Sequence, residues 1–227
     1  MAGLLAGFSL AVQAAPAAVP ANGMAQRMQA CTVCHGAEGR ATAQGYFPRI
    51  AGKPAGYLFE QLRAFRDGRR SQQTMNEFVA HMSDDYLREI AEYFAGLELP
   101  YPPPQTRDAA PAVLAQGQSL VLRGDAARSL PACSACHGES MTGVLPAVPG
   151  LLGLPRDYLV AQLGAWRTGL RKAVEPDCMA TIARRLSEAE IAALATWLSA
   201  QPVPGTGKPV PALTASRPPL DCGSGWR

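Results

Sequence analysis

The chain contains two copies of one sequence pattern, and this internal repeat restricts its fold more than any other feature. The segment FPRIAGKPAGYLFEQLRAFRDGRR, which starts at Phe47, recurs 101 positions later as VPGLLGLPRDYLVAQLGAWRTGLR. Identities in the same order over such a length indicate one domain that is present twice. We therefore expect domains at 22–98 and 112–200, a Pro-rich linker at 99–111 and a Pro-rich tail at 201–227.

Apolar residues in each copy recur at the spacing of amphipathic helices. After Pro54, a residue that favours helix starts, Leu58 and Phe65 fall on one face of a predicted helix. Ser83 is a predicted N-cap, and Gly96 is placed to end the helix that follows it. The second copy has a capping box in the letters SEAE, and no segment alternates like a strand. The predicted fold class is therefore all-α, with two tandem domains of one kind.

Each copy carries the motif Cys-x-x-Cys-His. Two cysteines at this spacing serve a redox disulfide, half of a zinc site, or two thioether bonds to haem, and the histidine directly after them favours haem because it can ligate the iron. A thioredoxin-like module needs a βαβ context, which the sequence lacks, and a structural zinc site needs four ligands per domain. We predict two covalently bound c-type haems, with these cofactor-binding residues: Cys31, Cys34, His35, Cys133, Cys136 and His137.

Methionines are the candidates for the second axial ligand. Only Met75 and Met179 recur as a pair, about 40 residues after their histidines, so we predict that they ligate iron opposite His35 and His137. Coordination by His and Met raises the haem potential and leaves no open position for a substrate. His81 is a rival ligand in the first copy, but its counterpart in the second copy is an arginine.

Two prolines follow the haem motifs at equivalent positions. The backbone carbonyls of Pro48 and Pro149 are placed to accept a hydrogen bond from the second nitrogen of each ligand histidine. The alternative is that both prolines only form turns, and the sequence leaves the two interpretations open.

Cys178 and Cys222 stand outside the repeated motifs. Two cysteines that remain outside the haem motifs of an exported protein favour a disulfide, which would hold the tail beside Met179. Free or intermolecular thiols are one alternative. Another is a Cys178 thiolate bound to iron, which would depart from the repeat.

The first residues indicate export. An apolar run from Leu4 to Val12 is followed by small residues around Ala14, which is the pattern of a signal peptide over 1–14. No other stretch approaches the roughly 18 apolar residues of a membrane span. The formal net charge of +3 is too mild to predict nucleic-acid binding. We expect a soluble periplasmic protein that contacts a membrane only through a partner.

Several segments carry a family resemblance. LRGDAARSLPACSACHG at 122–138, RIAGKPAGYLFEQLRAFRDGRR and TIARRLSEAEIAALATWL resemble the periplasmic dihaem cytochromes of the cytochrome c4 family, and the resemblance covers about residues 24–200. It implies two class I cytochrome c domains that face one another, with haem propionates near their interface. It also implies the same two His–Met axial pairs, and electron transfer that often leads to terminal oxidases.

Three functions are compatible with these residues. The first is a dihaem electron carrier between respiratory partners such as a reductase complex and a terminal oxidase, with no catalysis of its own. The second is a cytochrome subunit or dedicated electron acceptor of a periplasmic dehydrogenase, to which the tail would help attach it. The third is a dihaem peroxidase, which needs a haem that opens a coordination site, and two methionine ligands argue against it.

Overall fold

The computed structural model describes residues 23–42, 45–105, 108–211 and 219–224. The predicted signal peptide at 1–14 lies outside these ranges. The described residues form ten α-helices, two short 3-10 turns and one two-stranded hairpin. None of these helices is long and apolar enough to cross a membrane.

The first copy of the repeat forms five helices, among which α3 packs against α4 and α5. Pro54 directly precedes α3, and the Ser83 hydroxyl accepts a hydrogen bond from the backbone nitrogen of Tyr86 in the first turn of α5. Gly96 caps the end of α5, so the helix boundaries predicted here are confirmed. The five helices are α1 Met24–Arg27, α2 Gln29–His35, α3 Ala55–Arg66, α4 Gln73–Val79 and α5 Asp84–Ala95.

The second copy repeats this arrangement with a longer first helix, and α10 packs against α6 and α8. Ser187 and Glu190 form the predicted capping box at the start of α10. Strands β1 and β2 pair antiparallel, a small addition that the sequence did not predict and that leaves the fold class all-α. The elements are α6 Pro111–Arg123, α7 Ser134–His137, β1 Gly143–Val144, β2 Val148–Pro149, α8 Arg156–Thr168, α9 Cys178–Arg185 and α10 Glu188–Ser199.

A glycine allows α6 and α10 to approach closely. Glycine inside a helix destabilises it relative to alanine because it loses more backbone freedom on folding. At Gly117, however, a Cβ atom would overlap the backbone carbonyl oxygen of Ala193 and crowd the side chain of Trp197. The close packing of the two helices therefore requires a residue without a side chain at this point.

Each domain has its own apolar core, built from the helical faces that the periodicity marks. Leu58 and Phe65 of α3 are both buried, as predicted from their shared face. The first core consists of Met28, Leu58, Phe65, Val79, Leu87, Ile90, Ala91 and Phe94. The second core includes Leu120, Val121, Leu130, Met141, Leu152, Leu159, Leu163, Ile191, Leu194 and Leu198.

The two domains meet along the short segments that follow α3 and α8. Arg70 and Arg171, which occupy equivalent repeat positions, form an antiparallel bridge between the domains. The backbone nitrogen of Ser71 donates to Leu170 at 2.9 Å, and that of Lys172 donates to Arg69 at 2.7 Å. The contact is thus close to two-fold symmetric, as expected when two copies of one domain pair through the same surface.

The C-terminal segment packs along the second domain. Val210 pairs with Val144 of β1, and its backbone nitrogen donates to the Gly143 carbonyl at 2.9 Å. Farther along, a disulfide joins Cys178 at the start of α9 to Cys222, with 5.2 Å between the two Cα atoms. The tail therefore lies against the body of the domain on both sides of the undescribed residues 212–218.

Candidate functional site

The first haem motif lies at the end of α2, where His35 is buried at 9% exposure. Its Nδ1 atom lies 2.9 Å from the carbonyl oxygen of Pro48. Because a carbonyl oxygen can only accept, Nδ1 carries the proton and donates it. This leaves Nε2 as the nitrogen with a free lone pair, which is the form of histidine that binds a metal ion.

The second motif has the same geometry. His137 ends α7, is 8% exposed, and donates from Nδ1 to the carbonyl oxygen of Pro149 at 2.7 Å. The sequence left open whether the two prolines accept such hydrogen bonds or only form turns, and the structure shows that both carbonyls accept them. These bonds fix the orientation of the two imidazole rings.

Burial sets the protonation of the motif side chains. It lowers the pKa of His35 and of His137, so both imidazoles are neutral at pH 7. Burial also raises the pKa of the Cys31 thiol to about 11 and that of Cys133 to about 12. Both of these free thiols are therefore protonated at pH 7.

A cavity of about 490 Å³ lies beside the first motif. Cys31, Cys34, His35 and Met75 all line it, together with apolar side chains of the first core. Its size is within the range of cofactor sites in proteins. The methionine therefore shares one space with the histidine that the sequence pairs with it.

A second cavity, of about 190 Å³, is lined by Cys133, Cys136, His137 and Met179. The two cavities share wall residues at the domain junction, among them Tyr57, Tyr158 and Arg171. Two prosthetic groups in these cavities would consequently approach each other through the junction.

Short helices hold the two methionines in place. At Met75, the Gln72 side chain accepts from the methionine's backbone nitrogen at 2.8 Å, and the Asn76 amide donates to the Arg70 carbonyl at 2.9 Å. At Met179, the buried Asp177 carboxylate caps α9.

The capping residues Gln72, Asn76 and Asp177 were not identified from the sequence. An Asp directly before CMAT is a recognisable N-cap signal, whereas the other two contacts depend on the fold.

The remaining candidate ligands lie apart or have no counterpart. His81 is exposed and lines neither cavity. Met82 lines the first cavity, but its counterpart in the second is Leu186, which has no donor atom. Of the two methionines that line the first cavity, Met75 is therefore the one whose counterpart in the second cavity is also a methionine.

A cluster of polar side chains at the domain junction was also missed. Arg70 donates to Gln61 at 3.0 Å and to Gln162 at 2.8 Å, while Arg171 donates to both glutamines at 2.7 Å. Neither guanidinium has a carboxylate within ion-pair distance among the described residues, although all the Asp and Glu residues of the chain lie there. Arg70 and Arg171 recur at equivalent positions after α3 and α8, and this recurrence could have indicated the cluster from the sequence.

The residues present fit a covalently held haem in each cavity. Each apolar space brings together two cysteines, a neutral histidine with Nε2 available, and a methionine sulfur. This is the donor set of a c-type haem with His/Met ligation. The buried cations at the junction are suited to the carboxylates that such a group carries.

Comparisons with known proteins agree with this geometry. The family model for cytochrome c matches residues 20–97 and 115–201. A cytochrome c4 from Pseudomonas aeruginosa is 35% identical over 170 residues, which is 74% of this chain and 82% of that protein. The chain belongs to the cytochrome c4 family. This cytochrome carries two covalently bound c-type haems and acts as a dihaem electron carrier.

Other similar proteins carry thiosulfate dehydrogenase in their names. A thiosulfate dehydrogenase electron acceptor from Thiomonas intermedia is 37% identical over 194 residues, which is 83% of this chain and 87% of that protein. A solved thiosulfate dehydrogenase, TsdBA from Marichromatium purpuratum, superposes with a TM-score of 0.66 at 34% identity. That match covers 76% of this chain but only 36% of the solved one, so the cytochrome spans about a third of it.

Proposed function

We propose that His35 and Met75 ligate the iron of the first haem, and that His137 and Met179 ligate the iron of the second. Support comes from the two cavities, because each His–Met pair lines one of them and each histidine is already oriented by a proline carbonyl. The proposed thioether anchors are Cys31, Cys34, Cys133 and Cys136.

When bound, each haem supplies an iron centre that takes up and releases one electron. The chain fills both axial positions with its own side chains, so neither cavity offers an open position to peroxide or another substrate. The apolar lining excludes water from the centre, which favours a high potential and rapid electron exchange. These features support a relay without a catalytic residue of its own.

The partner proposed for this relay is a periplasmic dehydrogenase that oxidises thiosulfate. The observation that carries the proposal is the 37% identity to a thiosulfate dehydrogenase electron acceptor over most of both chains. Joining two thiosulfate ions through a new S–S bond releases two electrons, and two one-electron centres in one chain can take both. The leader-like start and the disulfide support a periplasmic location.

The test mixes the oxidised holoprotein with a thiosulfate dehydrogenase and thiosulfate, and follows the absorbance of the reduced haems. We expect two electrons taken up per chain, only when enzyme and thiosulfate are both present, and tenfold faster than by a single-haem cytochrome c at equal concentration. Equal rates for the two acceptors would contradict a dedicated partnership.

A second candidate is a carrier that delivers electrons to a terminal oxidase. The 35% identity to a cytochrome c4 favours this role. Its test is oxygen uptake by oxidase-containing membranes supplied with the reduced holoprotein. Oxygen uptake without any reaction with the dehydrogenase would replace the first proposal by the second.

A further inference from the structure

A lysine of the first domain lies in the cavity of the second. Lys53 is 4% exposed and lines the second cavity but not the first. Its Nζ atom donates to the carbonyl oxygen of Gly150 at 3.3 Å. Gly150 directly follows Pro149, whose carbonyl holds the ring of His137. The lysine thus places a positive charge from one domain next to the haem machinery of the other.

No carboxylate in the described part of the chain balances the charge of Lys53. All the Asp and Glu residues lie in the described ranges, and none of them forms an ion pair with Lys53 there. Burial, followed by repulsion from Arg49, lowers the pKa of Lys53 to about 8. Lys53 also contacts the Tyr101 ring, whose centroid lies 5.7 Å from Nζ. A buried cation held by neutral groups such as this ring and the Gly150 carbonyl is costly unless an anion joins it.

The repeat provides no equivalent charge for the first cavity. The position that corresponds to Lys53 in the second copy is Leu154, which is buried among apolar residues of the second core. Arg49 and Arg171 line both cavities and therefore act on both sites. Among the described residues, Lys53 is the cation of the first domain that lines the second cavity and not the first.

We propose that Lys53 binds a carboxylate of the second haem from across the domain junction and raises the reduction potential of that centre selectively. A positive charge favours the reduced iron because reduction removes one positive charge from the centre. At separations typical of one cavity, a single charge changes the reduction equilibrium constant roughly tenfold, which is 59 mV for a one-electron couple. Lys53 is a tuning residue, and the proposal rests on the His/Met ligation proposed above.

The experiment is a spectroelectrochemical titration of the holoprotein with Lys53 changed to methionine, to glutamine or to arginine. Lys53→Met removes the charge at nearly constant volume, so it tests the charge even if Lys53→Gln does not fold. Each titration is repeated in a Met179→His background, where the lower-potential couple belongs to the second centre. The matched control is Lys172→Met, which removes an exposed positive charge that lines neither cavity.

We expect Lys53→Met and Lys53→Gln to lower the reduction equilibrium constant of the second centre about tenfold. Lys53→Arg keeps the positive charge and should give the value of the unchanged protein. In these variants the reduction equilibrium constant of the first centre should change less than twofold. In the Lys172→Met control, the constants of both centres should change less than twofold. An unchanged second centre in Lys53→Met, or an equal fall of both centres, would overturn the proposal. Haem content and the methionine–iron band are recorded first in the unchanged protein, so that failure of the ligation is seen separately from failure of the lysine.

Discussion

Arg70 and Arg171 face each other across the domain junction, and each stacks on an aromatic ring of its own domain. The Arg70 guanidinium lies 4.5 Å from the centroid of Phe65, and that of Arg171 lies 3.8 Å from Trp166. Burial and then the charge of Arg70 lower the pKa of Arg171, because both disfavour a second positive charge at this place. Two like charges are tolerated here because stacking and shared amide oxygens compensate for lost water.

Replacing Arg171 by glutamine is therefore expected to loosen the junction. The change removes the hydrogen bonds that Arg171 donates to Gln61, Gln162 and Tyr57, while Arg70 still donates to the two glutamines. At roughly 1 kcal/mol for each lost bond, the cost is about 2–4 kcal/mol of unfolding free energy. Urea unfolding of the holoprotein measures it. Arg167→Gln, at a half-exposed position in the last turn of α8, should cost less than about 0.5 kcal/mol. Equal effects of the two variants would contradict this prediction.

Removal of either proposed methionine ligand should open a coordination site. Reduced Met75→Ala holoprotein is expected to bind carbon monoxide at one haem per chain, and its oxidised form should lose about half of the methionine–iron band. The unchanged protein should bind none. Met82→Leu is the matched control, because the residue equivalent to Met82 in the second domain is a leucine. Carbon monoxide binding by Met82→Leu instead would move the ligand assignment to Met82.

Two glycines should respond in opposite directions to alanine. Gly117→Ala is expected to destabilise the protein by about 1–3 kcal/mol, because the added methyl group overlaps the Ala193 carbonyl. Gly164→Ala lies inside α8 with nothing within 4 Å of the new atom, and should stabilise it by about 0.5–1 kcal/mol. Thermal unfolding of both holoproteins distinguishes the two signs. An increase in stability of Gly117→Ala would argue against the tight α6–α10 contact, and a loss in Gly164→Ala would contradict the open space beside α8.

The disulfide between Cys178 and Cys222 should stabilise the second domain. It closes a loop with a sequence separation of 44, so its loss is expected to cost about 2–4 kcal/mol. The double variant with serine at both positions is compared with the unchanged protein by urea unfolding, with and without a dithiol reductant. Reduction should lower the midpoint of the unchanged protein to that of the variant and leave the variant itself unaffected. A variant as stable as the oxidised protein would show that the bond does not constrain the unfolded chain.

Glu190 should make stability depend on acid pH. The Arg128 guanidinium and the capping box with Ser187 lower the pKa of Glu190 from 4.5 to about 2. Because this pKa is lower in the folded state than in the unfolded state, the ionised Glu190 carboxylate contributes fully to the free energy of unfolding above pH 4.5. The contribution is lost as the pH falls towards 2. Unfolding free energies measured across this window should fall more steeply in the unchanged protein than in Glu190→Gln. The exposed Glu188→Gln is the control, and its slope should match the unchanged protein.

Much of this cytochrome was predictable because its signals are local. The helix starts at Pro54, Ser83 and Ser187 depend on a cap and the few residues after it, and the structure confirms them. The covalent haem chemistry is contained in five consecutive residues of each motif, and the repeat shows that it occurs twice.

Other features required the assembled chain. Nothing in the sequence distinguishes Lys53 from a surface lysine. Only the pairing of the two domains places it in the wall of the second cavity. The same holds for the pairing of Val210 with β1, since a Pro-rich segment has no alternating pattern to predict a strand contact.

The sequence by itself therefore determined the helices, the duplicated domain and the two Cys-x-x-Cys-His motifs, because each depends on residues close together in the chain. Tertiary structure alone decided how the domains face each other and which charges are buried between them. Arg70 and Arg171 are 101 positions apart, and no local pattern predicts that their guanidinium groups donate hydrogen bonds to the same two glutamines. Burial removes water from such groups, so their partners are set by the fold that encloses them.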